Sequence, residues 1–297
     1  MTTRVITPNI KEKVDYLLRN RFPGIYQSLN SLKYSCNRKK MLALYKGTPL
    51  PSPLRIKIET LTRCNKKCVF CPVPLRQDNI KDKKMSWDTF NKIISELKNA
   101  AFDGEICLNL NNEPLLDTRI PEMITHVRKE LPASHIYLIT NGLLLNTEIT
   151  NSLINSGLNK LTINNYNSSD KLLKNIKEIY TEFSEAVCNI EIFLRKETDT
   201  LNSEGGYLEQ NKGPKQPFNR FCYYPFTELC FIYNGDASIC CHDVMYDGII
   251  GKIHNKSILE IWNGKEINEY HNKLLNENRS ITPCSKCDFI GYNKRRL

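Results

Sequence analysis

The chain has 297 residues, of which 40% are hydrophobic and 25% charged, so it is neither a disordered polymer nor too small to bury a core. No apolar run approaches the roughly 20 residues that cross a bilayer, and the basic N-terminus lacks a secretory apolar stretch, so a cytoplasmic protein with no membrane span is expected. Twelve cysteines in a large chain without a signal segment, most of them in short-spaced groups, argue against a disulfide scaffold and for metal or cluster binding.

The net charge of +10 gathers at the start, where residues 1–50 carry ten Lys and Arg against Glu12 and Asp15. Ile10, Val14, Leu17 and Leu18 share one helical face, which predicts an amphipathic helix docked on the body. Residues 1–52 therefore read as a basic helical extension. Capture of an acidic, phosphorylated or nucleotide-linked substrate, or weak membrane contact, would use the same charge.

From residue 53 short apolar stretches alternate with helical patterns, which is how parallel β/α units read. Leu54 to Thr60 alternates Leu54, Ile56 and Ile58 with polar residues and predicts the first strand. Ser86 can cap a helix through Phe90, Ile93, Ile94 and Leu97, followed by a strand near Ile106 to Leu110. The unit repeats as helix 119–130 with strand 135–140, helix 147–156 with strand 160–164, and helix 169–182 with strand 188–194. Such a series curls into an open or closed barrel with its chemistry at the carboxyl ends of the strands. Residues 197–219 read as a connection. After it, Thr227 to Tyr233 and Ala237 to Cys241 form a predicted hairpin about Asn234-Gly235-Asp236, which opens a second, smaller domain.

Two cysteine groups carry the chemistry. Cys64-Asn-Lys-Lys-Cys68-Val-Phe-Cys71 supplies three thiolates just past the first strand. Three sulfurs hold three irons of a cubane cluster and leave the fourth iron open to an external molecule, whereas a closed structural zinc site needs four ligands. Cys222 and Cys240 flank the hairpin, and Cys284-x2-Cys287 completes a set of four that suits a zinc ribbon as well as a cluster. Among the others, Cys107, Cys188 and Cys230 read as small core residues. Cys241 follows Cys240, so on a strand its thiol points to the opposite side.

The C-x3-C-x2-C group resembles the radical S-adenosylmethionine superfamily. Phe70 stands at the family's aromatic position before the last cysteine, Asn112-Glu113-Pro114-Leu115-Leu116-Asp117 is similar to its G-E-P-L-L-D segment, and Thr140-Asn141-Gly142 to its T-N-G turn. The resemblance covers residues 53–297. It implies an α/β fold, with a partial parallel (β/α)6-type barrel over 53–215 and a small C-terminal β-hairpin/helix iron–sulfur domain of SPASM or twitch type over 216–297. It also implies the cofactors: S-adenosylmethionine on a 4Fe–4S cluster held by Cys64, Cys68 and Cys71, and an auxiliary 4Fe–4S cluster held by Cys222, Cys240, Cys284 and Cys287. Phe70 would lie against the adenine and Glu113 would meet the methionine ammonium. Asn112, Asn141, Asn164 and Arg195 would complete the shell, with Arg195 a partner for the methionine carboxylate. Asn112 departs from the pattern by replacing glycine, which puts side-chain bulk where the backbone approaches the cofactor. No cysteines follow Cys287 to extend the SPASM motif, which favours the twitch form with one auxiliary cluster and spacings similar to an aminocyclitol dehydrogenase.

The function this implies is hydrogen-atom abstraction from a C–H bond of a polar substrate of sugar or aminocyclitol type by a 5′-deoxyadenosyl radical. The outcome is oxidation, or epimerisation if Cys241 returns a hydrogen atom. Maturation of a ribosomally made peptide is the alternative enzyme reading. A zinc-stabilised nucleic-acid or protein-binding module is the alternative of another class. The expected partners are a small-molecule or peptide substrate and an external electron donor such as flavodoxin or ferredoxin; nucleic acid is not expected.

Overall fold

The computed structural model describes residues 3–6, 52–77, 80, 82–167, 171–185, 187–195, 205–208, 220–287 and 289, with the isolated positions 21, 22, 25, 39 and 43. β1 (Arg4–Ile6) precedes β2 (Arg55–Ile58), α1 (Val73–Gln77), α2 (Trp87–Asn99), β3 (Glu105–Cys107), α3 (Ile120–Glu130) and β4 (His135–Thr140). Then come α4 (Thr147–Asn155), β5 (Lys160–Tyr166), α5 (Lys174–Glu182) and β6 (Asn189–Arg195). The C-terminal part adds α6 (Tyr224–Thr227), β7 (Glu228–Phe231), β8 (Asp236–Ser238), β9 (Ile249–Lys252), α7 (Ile258–Trp262) and α8 (Lys265–Leu275).

The described strands join one open sheet in the order β1-β6-β5-β4-β3-β2-β7-β8-β9. Neighbours from β1 through to β7 pair in parallel, and β7, β8 and β9 pair antiparallel. This is the α/β partial barrel that the alternating pattern implied. The predicted hairpin is present as β7 and β8, but β8 ends at Ser238, so Cys240 and Cys241 lie past the strand on which they were expected; β7 pairs with β2 from Arg55↔Glu228 to Ile58↔Phe231, so it prolongs the barrel sheet.

Two periodicities build the core. Ile56, Ile58, Ile106, Ile136, Leu138, Leu161, Ile163, Ile190 and Ile192 are fully buried in one cluster with Phe90, Ile93 and Ile94 of α2, Met123 and Val127 of α3, Leu153 of α4 and Ile176 of α5. The alternate strand residues, among them Arg55, Lys57, Tyr137, Asn164 and Tyr166, face the inner side of the curved sheet. Ser86 caps α2 as expected, its Oγ accepting from Thr89 N at 3.1 Å.

Three further features differ from the predicted elements. β3 ends at Cys107 instead of Leu110, because Asn109 Oδ1 accepts from Ile139 N at 3.1 Å and takes the place of a backbone acceptor. The fifth helix begins at Lys174. The N-terminal segment supplies β1, which the predicted elements did not include; it pairs with β6, and Arg4 bonds Glu191. The helix predicted over Ile10 to Leu18 lies outside the described residues, as does Cys36.

Candidate active site

The loop after β2 forms the mouth of the barrel. Cys64, Cys68 and Cys71 lie in it, half-buried and not joined by disulfides. Its entry is pinned by Thr62 N donating to Lys83 O at 3.0 Å, and Cys71 N closes a turn on Cys68 O at 3.1 Å. Phe70 is buried and stacks on Tyr166, at the end of β5, with centroids 5.4 Å apart and planes at 29°. Lys66 Nζ lies 5.4 Å from the same ring. The strand register sets Arg195 opposite Tyr166 and Asn164 opposite Phe193. The Arg195 guanidinium rests 5.4 Å from the Phe193 ring, at the rim beside the cysteine loop.

Glu113 sits behind that loop and is tied to it, its N–H donating to Arg63 O at 3.0 Å. Oε1 accepts from Thr140 Oγ1 at 2.6 Å and Leu115 N at 3.2 Å, and Oε2 accepts from Asn141 N at 2.8 Å. Burial raises its pKa, and the bonds from Asn141, Thr140 and Leu115 oppose that rise. Asn141 Nδ2 donates to Asn65 Oδ1 at 2.7 Å, so the T-N-G turn and the cysteine loop share one hydrogen bond. Gly142 permits that turn. Its φ is +76°, and a Cβ there would stand 2.8 Å from Ile163 Cγ2.

Asn112 solves its own crowding by folding back, with Oδ1 accepting from Leu110 N at 2.9 Å. Its Nδ2 and that of Asn111 are buried donors with no partner among the described residues. A buried carboxylate acceptor flanked by two unpaired amide donors suits an amino-acid zwitterion, with ammonium on Glu113 and carboxylate on the amides. The residues therefore fit the methionine end of S-adenosylmethionine, and three nearby thiols fit its cluster.

At the opposite, amino end of the strands lies a charged floor. Register aligns Glu228, Arg55 and Glu105 across three adjacent strands. Arg55 Nε donates to Glu105 Oε2 at 2.9 Å, and the fully buried Glu228 Oε2 lies 3.6 Å from both Arg55 Nη1 and Lys57 Nζ. Cys241 N donates to Glu228 Oε1 at 3.1 Å, which places the residue beside the Glu228–Lys57 pair. Burial works against both charges. Glu228 nevertheless raises the Lys57 pKa, and Lys57 lowers that of Glu228, so the pair stays ionised.

Cys222, Cys240, Cys284 and Cys287 line a single cavity, together with Tyr224, His242, Arg279 and Phe289. Arg279 holds the lining in place: Nε donates to Arg220 O at 2.8 Å, Nη1 to Cys287 O at 3.2 Å and Nη2 to Phe289 O at 2.8 Å. Four thiols around one space are a ligand set that an iron–sulfur cluster uses.

Every site residue expected from the sequence lies at the mouth, in the cavity or on the floor. Tyr166, Asn65, Lys57, Glu228 and Arg279 join them unannounced. A charged residue at an inward strand position, as Lys57 is, was the one available signal.

The radical SAM superfamily model matches residues 58–197, and a model described as an iron–sulfur cluster-binding domain, SPASM, matches residues 222–288. No curated protein matches the chain significantly. Among solved structures, BtrN in complex with AdoMet and 2-DOIA aligns with a TM-score of 0.67 at 19% identity, over 80% of this chain and 93% of that one. The anSMEcpe structure with bound AdoMet aligns with a TM-score of 0.54 at 14% identity, over 75% and 81%. These likenesses show the shared fold, and the two domain matches imply S-adenosylmethionine, its 4Fe–4S cluster and an auxiliary iron–sulfur cluster. The chain belongs to the radical SAM superfamily and carries a C-terminal SPASM domain.

Proposed function

We propose that this enzyme abstracts a hydrogen atom from a polar small molecule held inside the barrel and returns one from Cys241, inverting a stereocentre. In this reading Cys64, Cys68 and Cys71 hold the first cluster, and Cys222, Cys240, Cys284 and Cys287 the auxiliary one. The observation that carries it is the position of Cys241 on the floor, where its N–H donates to Glu228 Oε1, at the opposite end of the strands from the mouth. When bound and reduced, the first cluster with S-adenosylmethionine supplies the 5′-deoxyadenosyl radical that takes the substrate hydrogen.

The chain's residues supply the rest. Glu113 and the Asn111 and Asn112 amides orient the cofactor's methionine end, and Phe70, backed by Tyr166, flanks its adenine. The inner wall, with Arg55, Lys57, Glu105 and Glu228, offers hydrogen bonds to a hydroxyl- or amine-bearing ring. Hydrogen removed from the mouth side and returned from the floor reaches the opposite face of the carbon. The Cys241 S–H bond breaks, the substrate C–H bond forms, and an electron from an external flavodoxin or ferredoxin with one proton restores the thiol.

Oxidation is the second reading, favoured by the likeness to BtrN, which was solved with 2-DOIA. A peptide in the same cavity would follow anSMEcpe, solved with AdoMet and Cp18Cys peptide at a TM-score of 0.52. The test uses reconstituted, reduced enzyme in D2O with aminocyclitol and sugar panels. Epimerisation gives a product with one solvent deuterium and no change in oxidation level. Cys241→Ala should still move substrate hydrogen into 5′-deoxyadenosine yet lose the inverted product. A product two hydrogens poorer, formed equally by Cys241→Ala, would overturn the epimerase reading.

A further inference from the structure

We infer that Arg76, with Glu59 and Tyr246, is a positioning residue that fixes the C-terminal domain at one separation and orientation from the S-adenosylmethionine loop. The inference rests on the cluster assignment proposed above. Arg76 lies on α1, the helix that follows Cys71, and its side chain is 1% exposed. Its guanidinium reaches four segments. Nη1 donates to Glu59 Oε1 at 2.9 Å and to Val244 O at 3.3 Å. Nη2 donates to Thr62 O at 3.0 Å and to Asn111 O at 2.7 Å.

Each acceptor sits beside a reactive group. Thr62 leads into the Cys64 loop, Asn111 precedes Asn112 and Glu113, and Val244 follows Cys240 and Cys241. Glu59 continues β2 and bonds β7 through its N–H to Phe231 O at 2.8 Å. Tyr246 closes the arrangement from the C-terminal side. Its ring lies 4.8 Å from the Arg76 guanidinium, and its hydroxyl donates to Glu59 Oε2. Tyr246 has a φ of +63°, a backbone conformation that side chains rarely adopt and that neighbouring contacts must hold.

An arginine that merely supported the fold would bond within one layer. Half-buried Arg128 does so: it bonds the carbonyls of Pro132, Ser134 and Gly157, all on the barrel. Arg76 instead joins the cysteine loop, the Glu113 segment and the Cys240–Cys241 turn through one planar fork. Lysine, with a single nitrogen, cannot reproduce that geometry.

The test reads the magnetic interaction between the two reduced clusters, which depends steeply on their separation and orientation. Wild type, Arg76→Lys, Glu59→Gln and Arg128→Lys are reconstituted and matched for iron and sulfide. Expected is one resolved spin–spin splitting in wild type and in Arg128→Lys, and its loss or broadening in Arg76→Lys and Glu59→Gln. An unchanged splitting in Arg76→Lys overturns the inference. If Arg76→Lys does not fold, Glu59→Gln decides by the same criterion. Wild-type protein that assembles only one cluster refutes the cluster assignment, and the inference with it.

Discussion

Glu113 already accepts three hydrogen bonds before any ligand arrives. Two come from the T-N-G turn and one from its own segment, so the carboxylate is oriented before a cation approaches it. Glu113→Gln would turn an amide N–H towards Thr140 or Asn141, one of which must lose its acceptor. The ammonium of the cofactor would also lose a charged partner, and a charge-assisted bond is worth about 1.5–3 kcal/mol. We predict S-adenosylmethionine binding weakened roughly tenfold or more, with iron content unchanged, measured by equilibrium binding to the reconstituted enzyme. Undiminished binding would refute the role. The three loop cysteines could be singled out from their short local spacing, and Glu113 from the resemblance of its six-residue segment to a family motif. Lys57 and Glu228 could not be: the 3.6 Å approach between them depends on a β2–β7 pairing that no local pattern announces.

At the scale of elements, α8 docks on α6 through a histidine that the fold keeps neutral. His271 is 1% exposed, stacks on Phe226 with centroids 4.3 Å apart, and its Nε2 donates to Pro225 O at 2.7 Å. Burial pushes its pKa from 6.5 to about 4, the bond to Pro225 opposing the shift. The unfolded chain takes up a proton near the ordinary value, while the folded chain resists until the lower one. Stability is therefore complete above pH 6.5 and lost as pH falls from there to about 4. The loss is on the order of 3 kcal/mol across that window. Denaturant midpoints of wild type and His271→Gln, compared at each pH, should converge as pH falls; a parallel pair of curves would exclude this group as the source. Helix α8 and β9 escaped the sequence pattern because their burial depends on the C-terminal assembly. β1, with only three residues, has too little alternation to read.

At the scale of the molecule, the two matched families share one sheet. β7 is an interior strand between β2 and β8, so the C-terminal part covers an edge that the barrel would otherwise expose. The seam also carries charge. Removing residues after 215 would strip Glu228 from Arg55 and Lys57, and Val244 and Tyr246 from Arg76 and Glu59. Arg55 would keep Glu105 and Arg76 would keep Glu59, whereas Lys57 would lose the carboxylate that balances its charge. An unpaired β2 edge is at the same time a template for intermolecular pairing. A chain ending at residue 215 is therefore expected to aggregate on expression, while the full chain remains monodisperse by size-exclusion chromatography. A soluble, folded 1–215 fragment that still assembled the first cluster would show that the barrel is independent of the strand that closes it.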